Sequence, residues 1–75
     1  MDELVAFAAT HLSAREQEVL EHLAEGQTAK QVAQALFIAP RAVERLIEGM
    51  RLKMQARNTT HLITCGYLSG ALRVA

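Results

Sequence analysis

The chain has 75 residues, 51% of them apolar, and its 8 basic and 8 acidic side chains sum to a net charge of zero. A chain of this length supports one small hydrophobic core, and self-association stabilises such small domains. The composition excludes a membrane span, which needs roughly 20 consecutive apolar residues, while the acidic start Met1-Asp2-Glu3 and the single cysteine argue against secretion and predict a cytoplasmic protein.

An apolar segment, Leu4-Val5-Ala6-Phe7-Ala8-Ala9, lies within a predicted N-terminal arm at residues 1–11. The arm is apolar enough to be helical, and three roles stay open: packing on the last helix, packing on a partner, or a frayed terminus.

The following domain, residues 12–75, begins with Ser13-Ala14-Arg15-Glu16, a capping box in which serine and glutamate satisfy each other's backbone amides. Together with Gly26 as a left-handed stop, it predicts a helix over residues 14–25.

A second helix is predicted to start at Thr28-Ala29-Lys30-Gln31, which repeats the capping chemistry. Apolar side chains then recur at the three- and four-residue steps of one buried helix face. These side chains are Val32, Ala33, Leu36 and Phe37. The predicted helix is short and ends near Leu36.

A third helix is predicted over residues 40–54, because Pro40 suits a first turn in which its missing amide would be unpaired anyway. Its buried line consists of Val43, Ile47, Met50 and Met54. At a step of about 100° per residue, the opposite face is exposed. That face carries Arg41, Glu44, Arg45, Glu48 and Leu52.

A fourth helix is predicted over residues 59–70, where Thr59 and Thr60 offer an N-terminal cap. If Leu62, Ile63 and Gly66 face the core, the outward side chains are His61, Thr64, Cys65 and Leu68. An exposed leucine beside small residues suits a two-fold dimer contact, and a helix that only covers the core is the alternative. The chain is thus predicted to be all-α: a compact four-helix domain containing a helix-turn-helix, with an additional helical N-terminal arm.

The neutral net charge hides an uneven distribution along the chain. Residues 1–27 carry six acidic side chains against Arg15, whereas residues 28–57 carry six basic side chains against Glu44 and Glu48. A positive helix-turn-helix is typical of phosphate contact, because neutralised phosphates release condensed counterions. Charges that merely solubilise the helices are the alternative interpretation.

The motifs of the chain resemble those of a known family. In order, they are Leu12-Ser13-Ala14-Arg15-Glu16 with Val19-Leu20, Gly26 through Ala33, Leu36-Phe37-Ile38, Val43, Lys53-Met54 and Arg57-Asn58. This string resembles the LuxR-type (GerE-like) DNA-binding domain over roughly residues 12–72. The resemblance implies four helices, of which the third reads the major groove of double-stranded DNA and the fourth forms a dimer contact.

Candidate DNA contacts follow from this resemblance and from the exposed charges. Lys53 and Arg57 match basic positions of the family, and Thr28 and Lys30 lie where the second helix would approach the DNA backbone. The candidates on the third helix are Arg41, Glu44, Arg45, Glu48 and Arg51.

The chain departs from the family pattern at four positions. At the positions of Glu44 and Glu48, the family often has basic or polar residues that contact bases or phosphates. At the position of Leu46 it commonly has a histidine, and at the position of Ala39 a capping serine or threonine. Carboxylates weaken binding to a polyanion, and they can pair with arginines at three-residue spacing. A glutamate in the groove can also accept a hydrogen bond from the amino group of cytosine, which would shift the preferred sequence.

No enzymatic activity, metal or cofactor is expected. His61 and Cys65 have the spacing of paired metal ligands, but no further ligand lies near them in the sequence. The leading hypothesis is a small stand-alone transcriptional regulator that binds DNA as a homodimer. The alternatives are an interaction module of the same fold, which has lost DNA binding and modulates another regulatory protein, and one domain of a longer regulator.

Overall fold

The computed structural model describes residues 2–74, and within them the chain forms five helices and no strand. They are α1 (Glu3–Thr10), α2 (Ala14–Ala24), α3 (Ala29–Leu36), α4 (Pro40–Lys53) and α5 (Thr59–Ser69). The all-α prediction is confirmed, and the four predicted domain helices correspond to α2–α5. Three of these helices end one residue earlier than predicted because Glu25, Met54 and Gly70 serve as their C-caps.

The two predicted capping boxes form as hydrogen bonds, whereas the predicted cap of α5 at Thr59 or Thr60 is wrong, because Asn58 is the N-cap and its side chain accepts from the amide of His61 at 2.8 Å. The Ser13 hydroxyl accepts from the amide of Glu16 at 3.0 Å, while the Glu16 carboxylate accepts from the amide of Ser13 at 2.9 Å. Thr28 and Gln31 form the same reciprocal pair at 3.2 and 2.9 Å. Gly26 has a φ of 89°, the left-handed conformation expected after α2. Loss of a capping side chain lowers the free energy of unfolding by about 1 kcal/mol, so these capping boxes stabilise the first turns of α2 and α3.

One core joins the helices. Its large, fully buried side chains are Val19, Leu20, Val32, Val43, Met50, Met54 and Leu62. The α3 helix packs against α4 and α2, which forms the helix-turn-helix. The α1 helix packs against α5 and α4 and buries Val5 and Ala9 in the same core. Of the three roles left open for the N-terminal arm, the structure shows packing on the last helix.

Two predictions about single side chains are wrong. Phe37 does not lie on the buried face of α3 but is 94% exposed, because α3 ends at Leu36 and Phe37 is a left-handed C-cap with a φ of 57°. Ile38 packs against the core instead, and its amide donates to the carbonyl of Ala33 at 3.1 Å. Cys65, predicted to face outward, is buried in the same core as Val5 and Ala9 of α1.

Candidate nucleic-acid interface

The exposed side of α4 is charged and lies opposite the core. Val43 and Met50 are buried and fix the orientation of this helix. The side chains predicted on the other side are exposed, and they are Arg41, Glu44, Arg45, Glu48 and Leu52. Arg41, Glu44 and Arg45 make no ion pair and no side-chain hydrogen bond with any residue from 2 to 74. Their charges are therefore available to a ligand.

Glu48 is held by Arg51, which lies one turn further along α4. Nε and Nη2 of Arg51 donate to the two carboxylate oxygens of Glu48 at 2.9 and 2.6 Å. Nη1 of Arg51 also donates to the carbonyl of Ala56, at 2.9 Å. These hydrogen bonds from the guanidinium lower the pKa of Glu48, and the carboxylate in turn raises the pKa of Arg51. The predicted DNA contact Arg51 is thus already bound to Glu48 and to the connection between α4 and α5.

Lys53 is also bound within the domain. Its Nζ donates to the two carboxylate oxygens of Glu16 at 2.8 and 2.9 Å. The side chain of Glu16 is only 8% exposed, whereas that of Lys53 is 46% exposed. Burial raises the pKa of Glu16, but the hydrogen bonds from Lys53 and Ser13 outweigh it, so the pKa lies below its ordinary value. Lys53 therefore ties the end of α4 to the start of α2, a role for which the sequence carries no local signal.

The remaining predicted contacts lie beside α4. Thr28 uses its hydroxyl as the N-cap of α3. Lys30, in the first turn of α3, and Arg57, between α4 and α5, are exposed and form no ion pair within residues 2–74. The uncommitted cations around the helix-turn-helix are thus Lys30, Arg41, Arg45 and Arg57.

The outer face of α5 presents three of the four side chains predicted for a dimer contact. Leu68 is 74% exposed. Thr64 is also exposed, and its hydroxyl donates to the carbonyl of Thr60 at 3.3 Å. His61 is half-buried, and its Nδ1 accepts from the amide of Arg57 at 2.9 Å. Cys65 cannot belong to this contact because it is buried inside the domain.

The packed helices α3 and α4 and the tight turn between them form a helix-turn-helix, and the exposed side of α4 carries cations that form no ion pair within residues 2–74. The model of the luxR family of bacterial regulatory proteins (GerE) matches residues 10–65. The chain belongs to this family of DNA-binding transcription regulators, as the resemblance predicted. No curated protein and no solved structure matches it.

Two kinds of feature are absent from residues 2–74. None of the helices in this part of the chain is both long and apolar enough to cross a membrane. Its histidine, cysteine and carboxylate side chains form no group of three that could hold a metal ion.

Proposed function

We propose that the chain regulates transcription by binding double-stranded DNA in the cytoplasm, with α4 in the major groove. The observation that carries this proposal is the exposed face of α4, where Arg41 and Arg45 form no ion pair with residues 2–74. Guanidinium groups one helical turn apart are free to contact phosphates or the edges of guanines. Lys30 and Arg57 extend this positive surface to either side of α4.

Binding as a homodimer through α5 is part of the proposal. His61, Thr64 and Leu68 supply accessible side chains for a two-fold contact. Helix-turn-helix dimers present their recognition helices to half-sites about 34 Å apart along the DNA. The longest dimension of the domain is 33 Å, which is comparable with that spacing.

Enrichment of genomic DNA fragments on the purified chain, followed by titration of the best fragment between about 50 and 200 mM salt, tests DNA binding. We expect a fragment that binds better than random sequence, with an affinity that falls steeply as salt rises. In the double variant R41A/R45A the affinity drops, and the salt slope decreases by about 1 for each phosphate that is no longer neutralised. Enrichment of no fragment above random sequence would refute DNA binding.

R73A is the control for loss of a positive charge outside the proposed interface. Arg73 is an exposed arginine that lines a cleft with Ala9, Glu21 and Tyr67, and no residue of α3 or α4 lines that cleft. The control therefore removes one positive charge without touching the proposed interface. We expect R73A to retain the wild-type affinity and salt slope.

Sedimentation equilibrium tests the dimer contact. L68E places a charge in the proposed contact and is expected to give monomers that bind a two-half-site operator weakly. L52E is the matched control, because Leu52 is 63% exposed but lies on α4. It should leave the dimer intact. Dimers of unchanged stability in L68E would refute the role of α5.

A second function is favoured by Glu44 and Glu48, which place two carboxylates on the face that would approach DNA. In this proposal the chain keeps the fold and binds another regulatory protein instead of DNA. The expected result is that the wild type enriches no DNA fragment whereas E44K/E48K does. Specific DNA binding by the wild type would contradict it.

A further inference from the structure

We infer that Glu44 selects cytosine in the major groove, while Glu48, four residues further along the same helix, does not read a base. This inference rests on the proposed DNA binding and adds the base that one side chain of α4 recognises. It assigns different roles to two identical residues on one exposed helix face.

The two glutamates differ in their hydrogen bonds. Glu48 accepts from Nε and Nη2 of Arg51 at 2.9 and 2.6 Å, and Arg51 is anchored in turn on the carbonyl of Ala56. Each oxygen of Glu48 thus already accepts one hydrogen bond from a cation that the fold holds in place, which fixes the direction of the carboxylate and partly neutralises its charge. Glu44 accepts no hydrogen bond from any side chain of residues 2–74, so both of its oxygens are free to accept from a ligand.

The two glutamates also differ in their position along α4. Recognition helices contact base edges mainly with residues near their N-terminal end. The helix runs from Pro40 to Lys53, so Glu44 lies in its N-terminal half and Glu48 in its C-terminal half. Arg41 and Arg45 flank Glu44 and supply the attraction to DNA that offsets the repulsion between its carboxylate and the phosphates.

Carboxylate chemistry then determines the base. An ionised glutamate only accepts hydrogen bonds. In the major groove, guanine and thymine present acceptors, adenine presents an amino donor beside the acceptor N7, and cytosine presents its amino donor without an acceptor of its own. Glu44 is therefore satisfied by cytosine and repelled by guanine and thymine. Opposite those bases the carboxylate would lose water without gaining a hydrogen bond.

Selection of binding sites from random DNA by the full chain, compared with E44A, E44Q and E48A, tests this inference. We expect each wild-type half-site to contain a cytosine that E44A no longer requires, with discrimination at that position falling about 5- to 150-fold. E44A should also bind random DNA more tightly, because a charge repelled by phosphates is gone. E44Q should prefer adenine at the same position, since glutamine pairs with N6 and N7 of that base.

E48A is the matched control, because it removes the same charge from the same helix face. It frees Arg51 and should leave the preferred base unchanged at every position. The Glu44 side chain is exposed and forms no hydrogen bond within residues 2–74, so its removal should not disturb the fold. Equal circular dichroism spectra and melting temperatures of E44A and wild type verify this.

Three results would overturn the inference. If the wild type shows no sequence preference at all, the proposed DNA-reading function fails together with it. If the wild type is specific and the E44A and E44Q variants select the same sites, only the role of Glu44 fails. If E48A changes the preferred base as E44A does, the division between the two glutamates fails.

Discussion

Replacing Lys53 by methionine tests whether this side chain serves the fold of the domain or is free for DNA. The change keeps most of the aliphatic stem and removes the ammonium group that donates to both oxygens of Glu16 at 2.8 and 2.9 Å. It leaves a carboxylate that is only 8% exposed without its counter-ion. Loss of one partner from a fully buried ion pair costs about 3–5 kcal/mol.

The expected cost for K53M is smaller, for two reasons. Lys53 is 46% exposed, so water reaches the carboxylate from the side that the ammonium leaves. The amide of Ser13 continues to donate to Glu16 at 2.9 Å. We therefore expect a loss of about 2 kcal/mol in the free energy of unfolding, as for other hydrogen bonds to charged groups. In a domain of this size, that loss lowers the melting temperature by about 8–16 °C.

The effect of K53M should depend on pH in a defined direction. The pKa of Glu16 in the fold lies below its ordinary value of 4.5, so the ionised carboxylate stabilises the wild type above that pH. This contribution is lost as the pH falls through the lowered pKa. The gap between wild type and K53M is thus full at pH 7 and shrinks as the solution is acidified below about pH 4.5.

Urea unfolding followed by circular dichroism at fixed protein concentration measures this gap, because dimerisation would make the stability depend on concentration. The double variant E16Q/K53M is the control: glutamine keeps the capping box and removes the buried charge, so it should be more stable than K53M. A loss below about 0.5 kcal/mol, unchanged between neutral and acidic pH, would refute the reasoning and leave Lys53 free for phosphate.

Three further predictions concern single positions. F37G should raise the free energy of unfolding by about 0.5–1 kcal/mol in urea titrations, because it relieves a left-handed residue whose ring is 94% exposed. G66A should destabilise the domain by about 1 kcal/mol despite better helix propensity, since a Cβ would lie 2.7 Å from Cδ1 of Leu72 and 3.3 Å from Cδ2 of Leu20, and the same change should cost less in L72A, where only the contact with Leu20 remains. The buried Cys65 should react slowly with a thiol reagent, at a rate set by undocking of α1, and deletion of residues 1–11 should make that reaction fast.

Each of these predictions has a control and a contrary result. F37A removes the ring but keeps the left-handed backbone, so it should change the stability little, and equal gains in F37A and F37G would contradict the argument from backbone strain. Equal effects of G66A in wild type and L72A would show that the contact with Leu72 is unimportant. Rapid labelling of Cys65 in the folded, full chain would contradict its burial beneath α1.

Much of the fold could be predicted because its signals are local. Ser13 with Glu16 and Thr28 with Gln31 lie three residues apart and start their helices by hydrogen bonds within one turn. Pro40, at the first position of α4, is also a local signal, because its fixed φ suits a helix start and it has no amide to leave unpaired. Such features depend on neighbouring residues only, so they are visible in a single sequence.

What could not be predicted depends on residues that are distant in the chain or on the end of a helix. Glu16 and Lys53 are 37 positions apart, so no periodicity relates them. Cys65 lies in one core with Val5 and Ala9 of α1, and no pattern in the sequence indicates the position of α1 on α5. Phe37 continues the apolar spacing of α3, yet the chain turns there and Ile38 packs in its place. The charge pattern predicts Arg51 as a DNA contact but does not show that this arginine is bound to Glu48.

The packing of α1 on α5 has a consequence for how the domain opens. With 8 residues and only Val5 and Ala9 buried, α1 is too short to be stable by itself and is held by a small contact. It should therefore undock in a subglobal fluctuation that costs less than global unfolding. Native-state hydrogen exchange should show the α1 amides exchanging first, and each opening should expose the Cys65 thiol and the apolar side of α5 to proteases and to other copies of the chain.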